Sequence, residues 1–147
     1  MRRSLLIRFA AALATVTLAR AGIAQEQEAA PERTPEEKMA RRFPQPVRVG
    51  FLVGLPVIDE RNATLGRVRD VVRTPEGKLR LVMPYGGLFG IGGRAIAIPI
   101  EAVAMLGHQV AAVDMPRAAL ELAPTWYGAG DQPLGPDEVI RVGLTRR

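Results

Sequence analysis

The residues with the strongest claim to chemistry are glycines, running from Gly86-Gly87 through Gly90-Ile91-Gly92-Gly93 into Arg94-Ala95. Gly90 to Ala95 has the spacing G-x-G-x-x-A, by which a loop lets a pyrophosphate approach its backbone. That chemistry needs a helix to follow, so that its N-terminus faces the phosphates. Here Arg94 to Ile100 (RAIAIPI) alternates instead, with Ile96, Ile98 and Ile100 on one face, and contains Pro99. The pattern is that of a strand, and Pro99 places it at an edge or bulge. The loop also lacks the Lys-Ser/Thr ending of a P-loop. The expectation is a hairpin connection, Gly86 to Gly93, that presents Leu88 and Phe89 as contact residues.

Other chemistries lack their parts. The chain has no cysteine, which removes disulfides, thiolate zinc sites and thiol nucleophiles together. His108 is the single histidine and falls in a turn, where a surface role is expected. The only serine, Ser4, lies in the leading segment. Asp59-Glu60 and Asp137-Glu138 lack the spacing of a calcium loop and read as solvated turn acids. No catalytic, cofactor-binding or metal-binding residue is therefore expected, and the chain reads as non-enzymatic.

Binding chemistry has better candidates. Arg67, Arg69 and Arg73 fall on one face of a strand, opposite Val68 and Val72, and Arg80 on the returning strand joins them. The alternatives are a solvated outer face and a contact surface for lipid headgroups, acidic polysaccharide or an acidic protein. Trp126-Tyr127 either caps the end of the fold or anchors an interface.

These residues must be carried by a small domain. The chain of 147 residues opens with Arg2 and Arg3, then an apolar stretch clearest from Phe9 to Ala19, then small residues around Ala24. This is the layout of a secretory signal cut after Ala24, and the apolar run is too short for a membrane span. Removing it takes four arginines and no acid from 20 basic and 15 acidic residues, leaving 16 against 15. The positive charge thus belongs mainly to targeting, and a nucleic-acid partner is not expected. A periplasmic or secreted location is.

Residues 25–47 read as a charged, proline-containing linker, with one short helix signalled by Thr34, Pro35 and Glu37. Strands are expected over Val47–Val53, Pro56–Asp59, Leu65–Arg73, Leu79–Tyr85, Arg94–Ile100, Val103–Leu106 and Val110–Val113. Asp114 is positioned to cap a short helix over Pro116–Leu122, which Pro124 stops. The domain is placed at 48–124, and 125–147 forms an extension whose VIRVGL ending offers one more strand.

Val53 to Leu106 resembles the PRC-barrel family, the small β-barrel shared by a photosynthetic reaction-centre subunit and a ribosome maturation factor. Gly54-Leu55-Pro56-Val57-Ile58-Asp59, Leu65-Gly66-Arg67-Val68-Arg69-Asp70-Val71-Val72 and Ala97-Ile98-Pro99 carry the resemblance. It implies an all-β barrel with one short C-terminal helix and an extended tail. Gly54, Gly66, Asp70 and Pro99 have structural roles in this reading. Asp70, on the face of Val68 and Val72, is expected to accept hydrogen bonds from backbone amides of a neighbouring turn. The resemblance implies an adaptor without chemistry of its own, here for an unknown protein or anionic envelope component. The alternatives are a small-ligand protein or enzyme using the Gly86–Gly93 loop, and a structural protein that self-associates through VIRVGL.

Overall fold

A computed structural model of the protein describes residues 32–87 and 93–145. The expected signal segment, Leu88 and Phe89 lie outside the described residues. The elements are α1 (Pro35–Ala40), β1 (Gln45–Arg48), α2 (Val49–Leu52), β2 (Pro56–Ile58), β3 (Thr64–Arg67), β4 (Asp70–Arg73), β5 (Leu79–Tyr85) and β6 (Arg94–Pro99). A 3₁₀ turn (Ile100–Ala102) leads to β7 (Val103–Leu106), β8 (Gln109–Ala112), α3 (Arg117–Leu122), β9 (Gln132–Pro133) and β10 (Val139–Leu144).

The strands form two sheets. One has the order β1-β10-β7-β8-β2-β3, the other β6-β5-β4-β9. Pairing is antiparallel except for β10 with β7 and β2 with β8. Period-two alternation sends Val71, Leu81, Met83, Ile96 and Ile98 inward from the smaller sheet, where they meet Val57, Val103, Val110 and Leu120. All nine are essentially without solvent exposure. The result is a small, mostly β, barrel-like fold around one core.

The run Leu65–Arg73, expected as one strand, is broken where it changes sheets. Val68 exchanges backbone hydrogen bonds with Gly54 (2.8 Å) and Leu55 (2.9 Å). The next amide, that of Arg69, donates to the Val82 carbonyl at 2.8 Å. β3 and β4 therefore end and begin at a corner of the barrel. Gly66 marks the seam beside it, because a Cβ there would lie 2.4 Å from the Pro84 carbonyl oxygen of β5. Only glycine lets the two backbones approach so closely.

Two further expectations are corrected by the ends of the chain. Val49–Leu52 is a single helical turn, not strand, because the Val49 and Gly50 amides donate to Glu138 (2.9 Å) and Pro136 (2.8 Å) of the C-terminal segment. The linker reading also fails over its second half. Thr34 and Glu37 form the expected reciprocal capping box (3.2 and 3.0 Å), but α1 then packs Met39 against the core. β1 pairs with β10, Gln45 opposite Val142.

Arg42 locks this clasp. Its guanidinium donates to the Glu101 carbonyl (3.0 Å) and to the Asp114 carboxylate (2.6 Å), and its carbonyl accepts from the Leu144 amide (2.7 Å). Asp114 thus serves as an ion-pair partner, and the N-cap of α3 is Pro116 instead. The C-terminal extension supplies two strands. β10 pairs with β1 over Val139–Val142 and with β7 over Gly143–Leu144, so the VIRVGL run finds its ladder partners within its own chain.

Candidate functional site

The four arginines do not form one face. Arg80 lies opposite Val72 across the β4–β5 ladder and so shares its face, while Arg73 lies opposite Leu79 on the other. The corner at Val68-Arg69 separates Arg67 from the rest. Three of them have separate partners: Arg67 the Gly54 carbonyl (3.0 Å), Arg69 the Asp70 carboxylate (2.8 Å) and Arg73 the Glu138 carboxylate (3.4 Å). A sequence period assumes an unbroken strand, and the change of sheet defeats it.

Two of the four nevertheless meet the aromatics. The guanidinium of Arg69 lies over the Trp126 ring, 5.3 Å from its centroid. The Trp126 amide donates to the Ala95 carbonyl of β6 (2.7 Å), and its indole N–H donates to Asp131 (2.7 Å). Gly128, at φ +75°, brings backbone against the ring, and a Cβ there would sit 3.3 Å from it. Arg80 and Ala97 complete a hollow of about 220 Å³ with Pro124 to Ala129 and Asp131. Tyr127 stands beside it, 87% exposed. Trp126 therefore covers the outer face of the smaller sheet and presents an aromatic surface at the same time.

A second concavity follows the seam. Thr64 to Arg67 of β3, Pro84 to Gly87 at the end of β5, and Arg117 and Glu121 of α3 line a groove of about 740 Å³. It opens beside the first two glycines of the glycine-rich loop, and the residues after that loop form strand β6. Arg117 pairs with Glu121 (3.5 Å) and reaches Asp59 at 3.9 Å.

Asp59 performs the role assigned to Asp70. It is 2% exposed, and one carboxylate oxygen accepts the Arg61 and Ala63 amides at 2.8 Å each, closing the turn into β3. Burial pushes its pKa up. The Ala63 and Arg61 amides, helped by the charges of Arg117 and Arg61, outweigh that and hold the carboxyl below its ordinary value. Asp70 is 42% exposed at its side chain and pairs only with its neighbour Arg69 among the ion pairs of the described residues. Two aspartates in similar turn-and-strand contexts are separated by burial, which local sequence does not report. Asp59 is correspondingly no solvated turn acid.

Sequence reasoning also missed Arg94. Its guanidinium donates to three carbonyls at the C-terminus of α3, those of Ala123, Leu120 (3.1 Å) and Glu121 (2.6 Å). It also lies 5.9 Å from the Tyr85 ring centroid. The end of a helix exposes such carbonyls, and a cation there satisfies both the orphan acceptors and the dipole. Arg94 follows a glycine whose Cβ would fall 2.3 Å from the Gly86 oxygen, so the loop closes tightly just before it.

The remaining candidates serve the frame. Gly54, at φ +87°, donates to Val68 at the barrel corner. Pro99 ends β6, an edge strand of its sheet. His108 sits in the β7–β8 turn, its ring 6.1 Å from that of Phe51. Among the described residues, no His, Asp or Glu cluster of metal-binding size occurs, and no helix is long and apolar enough to cross a membrane.

Residues 48–120 match the family model of the PRC-barrel domain. No curated protein matches the chain. The matched span stops short of Trp126, β9 and β10, so the hollow around Trp126 is built partly by a segment beyond it.

Proposed function

The chain belongs to the PRC-barrel family, and we propose that it is a non-catalytic adaptor of the bacterial envelope, periplasmic or secreted. Its contact surface is the Trp126 corner, and its partner is a protein or other envelope component with an acidic surface. One observation carries this reading: Arg69 is stacked on an indole that Asp131 holds in place, beside Arg80 and an exposed Tyr127. Aromatic and arginine side chains are the usual anchors of protein contacts, and a ring already fixed loses little freedom on binding. The envelope location rests on the charged and apolar pattern of residues 1–24.

The test is site-specific photo-crosslinking in intact cells. A crosslinker replacing Tyr127 should give a discrete adduct, and the same group at Glu60, in the turn before β3, should not. Combining Arg69→Glu with Arg80→Glu should remove the adduct. An adduct that survives both substitutions, or none at all from position 127, overturns the reading. Intact mass of the recovered protein should place its N-terminus at Gln25; a chain recovered from the cytoplasm beginning at Met1 would reject the location.

A further inference from the structure

We infer that the seam groove accepts an extended acidic peptide segment, which adds as a strand to β3. This surface is separate from the Trp126 corner, and the inference does not rest on the proposed adaptor role there.

Backbone geometry gives the first argument. β3 closes the six-stranded sheet, and among the described residues its ladder partner is β2 alone. Facing it, β5 runs on past the start of β4. Asp70 pairs with Val82, so Met83, Pro84 and Tyr85 have β6 on one side and no β4 residue on the other. The Pro84 carbonyl of β5 comes up against Gly66 on the side where a Cβ would stand, and β3 and the end of β5 then border the groove. Pro84 has no N–H to give, which keeps the edges from zipping together at that point. An unpaired strand edge is a template for another strand, and the four residues of β3 span about 13 Å, enough for a short one.

Charge gives the second argument and selects the occupant. Arg67 and Arg117 stand on the lining against a single carboxylate, Glu121. Arg67 donates to the Gly54 backbone carbonyl and, among the described residues, enters no ion pair. Arg117 is 57% exposed, and its pairs are long at 3.5 and 3.9 Å. A strand with acidic side chains at alternate positions would send them to one side, toward these guanidinium groups.

The test uses the full-length processed protein and a fluorescein-labelled heptapeptide alternating valine and glutamate. Its valine–lysine counterpart and inorganic phosphate serve as comparators. In fluorescence anisotropy the glutamate peptide should bind at least about tenfold more tightly than the lysine peptide, and binding should slow amide exchange over Thr64–Arg67. Arg67→Glu and Arg117→Glu should each weaken binding about tenfold. Glu121→Gln should tighten it about threefold, a gain that damage to the fold would not produce. Equal binding of the two peptides, no binding, or binding without protection of β3 overturns the proposal. Displacement by phosphate at matched ionic strength also overturns it and marks a small-anion site instead. Loss of crosslinking at position 127 with this binding intact would reject the corner alone.

Discussion

The seam groove and the Trp126 corner share the β5–β6 hairpin but are held in different ways. At the corner, directed polar contacts fix one large ring: its amide goes to Ala95, its indole N–H to Asp131, and Arg69 lies over its face. At the groove, shape comes from the close backbone approach of Gly66 to Pro84, and the lining cations are loosely paired. Fixed dipoles and a stacked ring suit recognition of a preformed surface. An open strand edge suits a ligand that becomes ordered as it binds. Arg94 links the two, since it holds the end of α3 beside the groove and, through Ala123, the start of the segment that runs to Trp126.

That comparison can be broken most severely at Gly66. Replacing it with alanine puts a methyl group 2.4 Å from a backbone oxygen, which cannot rotate away. The expected loss is about 3 kcal/mol, read as a fall of roughly 10 °C or more in melting temperature. Exchange should rise first along β3, while the Trp126 environment keeps its fluorescence until global unfolding.

Arg94→Met is the next largest, at about 2 kcal/mol, because three carbonyls lose a charged donor. It alone should disturb both regions, loosening α3 and shifting Trp126 emission together. An effect confined to one region would separate what Arg94 joins.

Asp59 sharpens the groove side through pH. Its folded-state pKa is lowered, with the amide bonds and Arg117 overcoming burial, so its ionised form stabilises the fold above the unfolded value. That contribution disappears as pH falls through the unfolded value near 4 toward the lower folded one. The stability gap between the native protein and Asp59→Asn should therefore narrow below about pH 4 in denaturant titrations. A constant gap would assign Asp59 a role without charge.

The smallest effects belong to the corner. Trp126→Phe should cost about 1 kcal/mol through the lost Asp131 bond, and Arg69→Ala less than about 1 kcal/mol, since the pair is exposed. A double-mutant cycle should find the two coupled; additivity would mean that Arg69 merely lies nearby.

Much of the frame was legible in residue order. The capping box at Thr34 and Glu37, the alternation of Arg94–Pro99 and the proline stop at Pro124 are all decided within a few neighbours. What escaped depends on distant partners. Leu65–Arg73 reads as one run, yet its hydrogen bonds pass from one sheet to the other between Val68 and Arg69. β1 contains two polar or charged residues and a proline, and it is a strand because β10 supplies its ladder. The candidate surfaces suffered most. Arg69, Arg80 and Trp126 were recognisable singly, but their grouping depends on a tail that doubles back over β6.

The clasp between β1 and β10 has a kinetic consequence. Gln45 waits for Val142, so β1, the first of the described strands, has no ladder until β10 has been made. Most β pairs inside the family-matched span close over far shorter loops, as β4 with β5 and β7 with β8 do. Closing the long loop is the slower event, because its entropy is lost before any contact rewards it. The expected order of assembly is therefore hairpins first and ends last, with Arg42 sealing the join once both flanks have arrived.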